Sequence, residues 1–166
     1  MYFMREVRFL RKFYHVDSSR IFAINNVIYP KSQITLKNLR TYQLSNHGYN
    51  YMNYENKNGF YELLYEIIRF EHFPSKISRL ESLFAFETLT EAMEFIEKYR
   101  KQYKCNILEV ESDNYEILDM NWLKGGNCKD LYDECFSYWS GDISDDPIKE
   151  CLLKLPVRIN NVIEVK

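Results

Sequence analysis

Residues 78–95, S-R-L-E-S-L-F-A-F-E-T-L-T-E-A-M-E-F, decide how the rest of the chain is read. The apolar run Leu83, Phe84, Ala85, Phe86 is short and bounded by polar residues, as a buried strand is. It continues without Gly or Pro into a stretch with apolar residues at Leu89, Ala92, Met93, Ile96 and Tyr99. The change of period predicts a strand running straight into a helix. Thr88 stands where a hydroxyl caps free backbone N–H groups, and Glu91 follows it at the spacing of a capping box. This junction puts Ser78, Arg79 and Ser82 at one end of the strand, where polar side chains either meet a ligand or close an ordinary core unit.

Before this unit, Phe60, Leu63, Leu64, Ile67 and Ile68 form a one-face helical stripe that Pro74 ends. Residues 9–16 read as a first strand that delivers His15 near its end, and residues 21–29 as a short strand or irregular segment closed by Pro30. Residues 31–58 lack a clear period; their aromatics need burial, so they read as a surface-covering, partly helical excursion. After the unit, residues 105–111 and 115–122 read as strands. Residues 129–138 read as a helix ending near Gly141, and residues 150–155 and 157–165 as two closing strands split by Pro156. Strands and helices mixed in this order predict an α+β fold, and 166 residues predict one domain spanning 1–166.

Hydrophobic content of 46%, with 14 Tyr and 11 Phe, excludes a disordered chain. No apolar run approaches the roughly 20 residues that span a bilayer, and the N-terminus lacks the apolar core of a signal peptide, so a soluble cytoplasmic protein without membrane contact is expected. Cys105, Cys128, Cys135 and Cys151 form no CxxC pair, which predicts free thiols packed as small hydrophobes and no metal site. Residues 1–40 hold eight Lys or Arg against two acidic residues, whereas residues 81–166 hold ten against eighteen. The basic part either attracts phosphates of a nucleotide or nucleic acid, or pairs with the acidic part within the fold.

G-x-x-x-x-G-K-[ST], G-x-G-x-x-G, H-E-x-x-H and G-x-S-x-G are all absent, and five Gly make a backbone phosphate cradle a poor expectation. With three His, acid–base work falls on His15, His47 or a carboxylate. His15 is the best placed of them; His47 precedes Gly48 as a turn residue would, and His72 lies between Phe70 and Phe73 as a packing residue would. Glu150 opens the apolar strand C-L-L-K-L-P after an acidic loop, which predicts a carboxylate at the strand's edge facing a cleft. Arg79 with Ser82 suits an anion through a forked guanidinium contact, unless it pairs with Glu81, Glu71 or another acid. Tyr138 and Trp139 suit stacking on a planar ligand or a place in the core.

In order, F-Y-H-V-D, L-S-N-H-G-Y-N-Y, the long segment from E-L-L-Y-E-I-I-R-F through L-F-A-F-E-T-L-T-E-A-M-E-F, I-L-E-V, L-D-M-N-W-L, Y-W-S-G and E-C-L-L-K-L-P-V-R-I resemble a bacterial family of uncharacterised proteins, the domain of unknown function 2441. The resemblance covers nearly the whole chain. It implies an ADP-ribosyltransferase-like fold, a split β-sheet with flanking helices that grips NAD in an extended cleft. On that comparison His15 orients NAD, Phe84 or Phe86 packs on nicotinamide, Arg79 and Arg20 hold the pyrophosphate, and Glu150 is the catalytic carboxylate. The Tyr or Ser-Thr-Ser element of such transferases is not present here. Ile148 stands where arginine-modifying members carry Glu or Gln, which favours a nucleic-acid base or another side chain as acceptor. The implied activity is transfer of ADP-ribose to a nucleic acid or protein, as in a toxin or phage-defence effector held by an antitoxin or inhibitor. The alternatives are an inactive nucleotide- or nucleic-acid-binding module, or a protein-interaction component of such a system.

Overall fold

The computed structural model describes residues 9–165; Arg5 and Arg8 of the basic N-terminal part lie outside them. The strands are β1 Arg11–Asp17, β2 Val27–Ile28, β3 Ser32–Thr35, β4 Thr41–Leu44, β5 Ser82–Ala85, β6 Asn106–Ser112, β7 Tyr115–Asp119, β8 Lys149–Lys154 and β9 Val157–Glu164. The helices are α1 Asn46–Asn53, α2 Gly59–His72, α3 Leu89–Tyr99 and α4 Cys128–Ser140. The fold is thus mixed α and β with antiparallel sheets. One sheet runs β1-β6-β9-β2, a second β5-β8-β7, and β3 and β4 form a separate hairpin.

The strand-to-helix junction forms as its residues dictate. Thr88 Oγ1 accepts from the Glu91 N–H at 3.2 Å, and the Glu91 carboxylate accepts from the Thr88 N–H at 2.9 Å. Two sheets stacked between helices bury the core in three layers. Leu83, Ala85, Cys151 and Leu153 face the first sheet at Phe13, Leu108, Val110 and Ile159. Alternation sends Leu118 and Leu152 to the opposite face, against Tyr65, Ile68, Leu131, Tyr138 and Trp139 of α2 and α4. On the outer face of the first sheet, Ile107 packs with Ala92 and Ile96 of α3. A bulge between Glu109 and Val110 in the β6–β9 pairing lets Ile159 and Val162 pack in one cluster although they are three residues apart.

Among the described residues one isolated backbone bridge joins the edges of the two sheets. Tyr14 and Phe86 exchange both backbone hydrogen bonds at 2.9 Å, one residue past the end of β5. Strand order across the junction is therefore β1, β5, β8.

Several expectations change. Residues 21–29 contribute only the two-residue β2. Residues 31–58 form the β3–β4 hairpin and α1, with Tyr42 and Leu44 buried against Leu80. The strand expected over 115–122 stops at Asp119, where a 3-10 turn at Met120–Trp122 takes over because the Asp119 carboxylate caps the Asn121 N–H at 2.9 Å. Cys105, Cys135 and Cys151 are buried free thiols, but Cys128 is exposed. Among the described residues no helix is long and apolar enough to cross a membrane.

α1 lies directly on the turn that carries Arg79. A Cβ on Gly48 would sit 2.1 Å from the Leu80 carbonyl oxygen, and that oxygen is backbone held by the Ser45 N–H at 2.9 Å. Gly48→Ala is therefore expected to destabilise the fold by at least about 1–3 kcal/mol, the usual cost of overpacking, in urea unfolding.

Candidate active site

Ser78 and Leu80 fix Arg79 between them. The Ser78 hydroxyl caps the Leu80 N–H at 3.2 Å and donates to Glu66 at 2.8 Å, while Arg69 donates to the same carboxylate at 2.7 and 3.0 Å. The Arg79 side chain then turns inward to a cluster that is almost wholly shielded from water. Its Nε and Nη2 make a fork to the two oxygens of Glu62, each at 3.0 Å. Its Nη1 donates to the Tyr138 hydroxyl at 2.8 Å and to Glu150 Oε1. Tyr138 closes the ring by donating to Glu150 at 2.6 Å. Burial alone would lower the Arg79 pKa, but Glu150 and Glu62 outweigh it and raise it well above its ordinary value. For Glu62, burial acts upward, and Arg79 with His47 drives the net shift far below the usual carboxylate range. Burial keeps Tyr138 a neutral phenol.

Phe84 joins this cluster to β1. Its ring lies 4.8 Å from the Arg79 guanidinium carbon on one side and edge-on to His47 at 4.3 Å on another. Its carbonyl lies 2.6 Å from His15 Nδ1. Beyond the Tyr14–Phe86 bridge, β1 and β5 stop exchanging backbone hydrogen bonds, and the His15 imidazole takes the carbonyl that the ladder leaves free. A carbonyl only accepts, so Nδ1 carries the proton. Burial lowers the His15 pKa against the pull of that carbonyl and Asp17, which leaves the ring neutral at pH 7 with its lone pair on Nε2.

Some of the sequence-derived candidates meet in this cluster and others do not. Arg79, Glu150, Tyr138 and Phe84 come together, with His15 attached through the Phe84 backbone. Glu150 departs from expectation in its setting: it lies inside the central strand β8, paired with Leu118, and is only 4% exposed, so it does not sit at an edge. Tyr138 is also fully buried and offers no stacking face. Ser82 is buried and donates to the Arg79 carbonyl at 3.3 Å; it shapes the turn and points no hydroxyl to a ligand. Trp139 is core, its indole N–H donating to the Tyr65 carbonyl at 2.8 Å. The Phe86 ring packs 5.0 Å from Phe95 of α3, away from the Arg79 cluster. His72 packs 4.9 Å from Phe136, as expected. Arg20 is exposed on the turn after β1, where its N–H donates to Asp17 at 3.0 Å.

Of the acids weighed as partners of Arg79, Glu81 pairs with Arg40 instead, and Glu62 takes the fork. Glu62 and His47 were not foreseen in this place. Glu62, Glu66 and Arg69 recur at spacings of four and three along α2, so three charged residues share one helix face beside an apolar stripe. That recurrence was the available signal.

The model of one protein family matches residues 7–165. The chain belongs to the DUF2441 family, described only as proteins of unknown function. No curated protein matches the sequence. In this DUF2441 chain the match takes in every strand and helix described above, with the whole Arg79 cluster and His15 inside it. What the arrangement offers chemically is a neutral imidazole on one strand, an aromatic ring on the next and a carboxylate on the third. A buried cation binds that carboxylate.

Proposed function

We propose that this DUF2441 protein is an NAD-dependent ADP-ribosyltransferase whose two sheets correspond to an ADP-ribosyltransferase-like split sheet. The observation that carries the reading is the spatial order β1, β5, β8. It sets His15, Phe84 and Glu150 on three successive strands where the sheets part, although the three segments are remote in sequence. By register, Glu150 lies one step past the Ala85–Cys151 pair, toward the end of β5 after which Phe86 bridges to Tyr14.

That constellation suits cleavage of the bond between ribose and nicotinamide. The bond breaks with an oxocarbenium-like charge on the ribose, which a carboxylate in a shielded site stabilises. His15 Nε2 accepts a ribose hydroxyl, the Phe84 ring packs on nicotinamide, and Glu150 faces the developing charge. Arg79 already meets two carboxylates, so the pyrophosphate falls to the exposed Arg20, which has no ion pair among the described residues. The acceptor is a nucleic acid or a protein group other than arginine. The test is labelled NAD incubated with the purified protein and either RNA or cell lysate. Nicotinamide release with label on a macromolecule is expected, and neither product from the wild type would refute the reading.

The enclosure of Glu150 by Arg79 and Tyr138 favours one second reading, a nucleotide-binding module without turnover. It predicts equal NAD binding by wild type and Glu150→Gln, with no nicotinamide from either. If the active enzyme is a toxin or phage-defence effector restrained by a partner, its expression alone slows growth, and Glu150→Ala relieves the effect.

A further inference from the structure

The transferase reading leaves one arrangement beside the site unused. His47, on the first turn of α1, directs Nε2 toward Glu62 Oε1 at 3.5 Å. That nitrogen is buried and has no hydrogen-bond partner among the described residues, so Glu62 is its nearest acidic neighbour. The ring is fixed by the edge contact with Phe84 at 4.3 Å and by Tyr51, one helical turn on, at 4.5 Å. About a quarter of the side chain remains open to solvent, and among the described residues Nδ1 has no hydrogen-bond partner and is not a buried unpaired atom. A carboxylate behind one imidazole nitrogen and a free second nitrogen are the two parts of a general base. Glu62 is also where the charge collects: with Glu150 it presents two carboxylates to Arg79, and an imidazolium at His47 brings the group to neutrality.

We infer that His47 is the base that activates the acceptor, with Glu62 as the residue that positions it. The inference rests on the transferase reading and narrows its acceptor to a neutral protic nucleophile, a hydroxyl or a base N–H, because a carboxylate acceptor needs no base. In the step, the acceptor X–H gives its proton to His47 Nδ1 as X bonds to the ribose carbon. The bond from that carbon to nicotinamide breaks with its electron pair on the nicotinamide nitrogen, discharging the pyridinium, and the imidazolium then returns its proton to solvent. His15, bonded through Nδ1 to Phe84, stays with the ribose.

The experiment compares wild type and His47→Ala for NAD affinity, nicotinamide release and transfer to RNA or protein, with and without added imidazole. His47→Ala should keep the NAD affinity, which also reports that it folds, and lose transfer by about 10²–10⁴-fold. Imidazole diffusing into the vacated, partly open space should restore part of the rate. Transfer at the wild-type rate, or a loss that imidazole leaves unchanged while NAD still binds, would give His47 a packing role and overturn the inference alone. His47→Gln, which retains a polar side chain, covers an alanine variant that fails to bind NAD: undiminished transfer by it has the same meaning. A wild type that releases no nicotinamide overturns the transferase reading and this inference together.

Discussion

Glu150→Gln is expected to cut nicotinamide release by about 10²–10³-fold, the loss that follows when one charged stabiliser of a transition state is removed from a shielded site. NAD affinity and fold should be nearly unchanged. Arg79 keeps its forked pair with Glu62, and a glutamine oxygen still accepts from Tyr138, so the substitution removes the second carboxylate of a cation that holds two. Charge is lost without leaving a buried ion alone. Parallel measurement of nicotinamide release, NAD binding and urea unfolding separates the effects; an equal fall in all three would assign Glu150 to the fold.

Arg79→Ala has the opposite profile. It leaves Glu62 and Glu150, side chains 12% and 6% exposed, without the guanidinium that binds both, and only Glu62 keeps a neighbour of basic type, His47. Breaking a buried pair in this way costs about 3–5 kcal/mol, enough to unfold many domains of this size. The pH dependence carries the sign. In the wild type the folded-state pKa of Glu62 is depressed, so its contribution is present above the unfolded carboxylate value and is lost as pH falls. In the variant, burial is no longer outweighed by the guanidinium and raises the Glu62 pKa above the unfolded value. The folded variant then binds more protons, and its stability rises as pH falls toward the ordinary range near pH 4. The gap between the two proteins should therefore narrow from pH 7 to pH 4.5 in urea unfolding. A gap that stays constant would mean that the carboxylates are not sealed from water as described.

Where a local cause sufficed, the sequence was readable. Thr88 and Glu91 fixed the start of α3, Pro74 lies just past the end of α2, and Gly141 ends α4 in the left-handed conformation that glycine adopts freely. Residues 31–58 resisted because their helix is short and their strands are held by the pairing of Ile34 with Tyr42 and the burial of Leu80, contacts that no period announces. The same limit governed the site. Arg79 and Glu150 were chosen as polar residues at strand ends, and that they bind each other depends on Tyr138 and Glu62 arriving from two other helices. Ser82 stands near a strand end as Arg79 does, but the turn claims it, and Trp139, an aromatic suited to stacking, is claimed by the core.

A crystal structure of the Glu150→Gln protein with NAD bound tests the transferase site most directly. The nicotinamide ribose is expected in the split between β1 and β5, with a hydroxyl on His15 Nε2, the ring against Phe84 and its reacting carbon facing residue 150. NAD bound elsewhere on the molecule, or absent at saturating concentration, would contradict it.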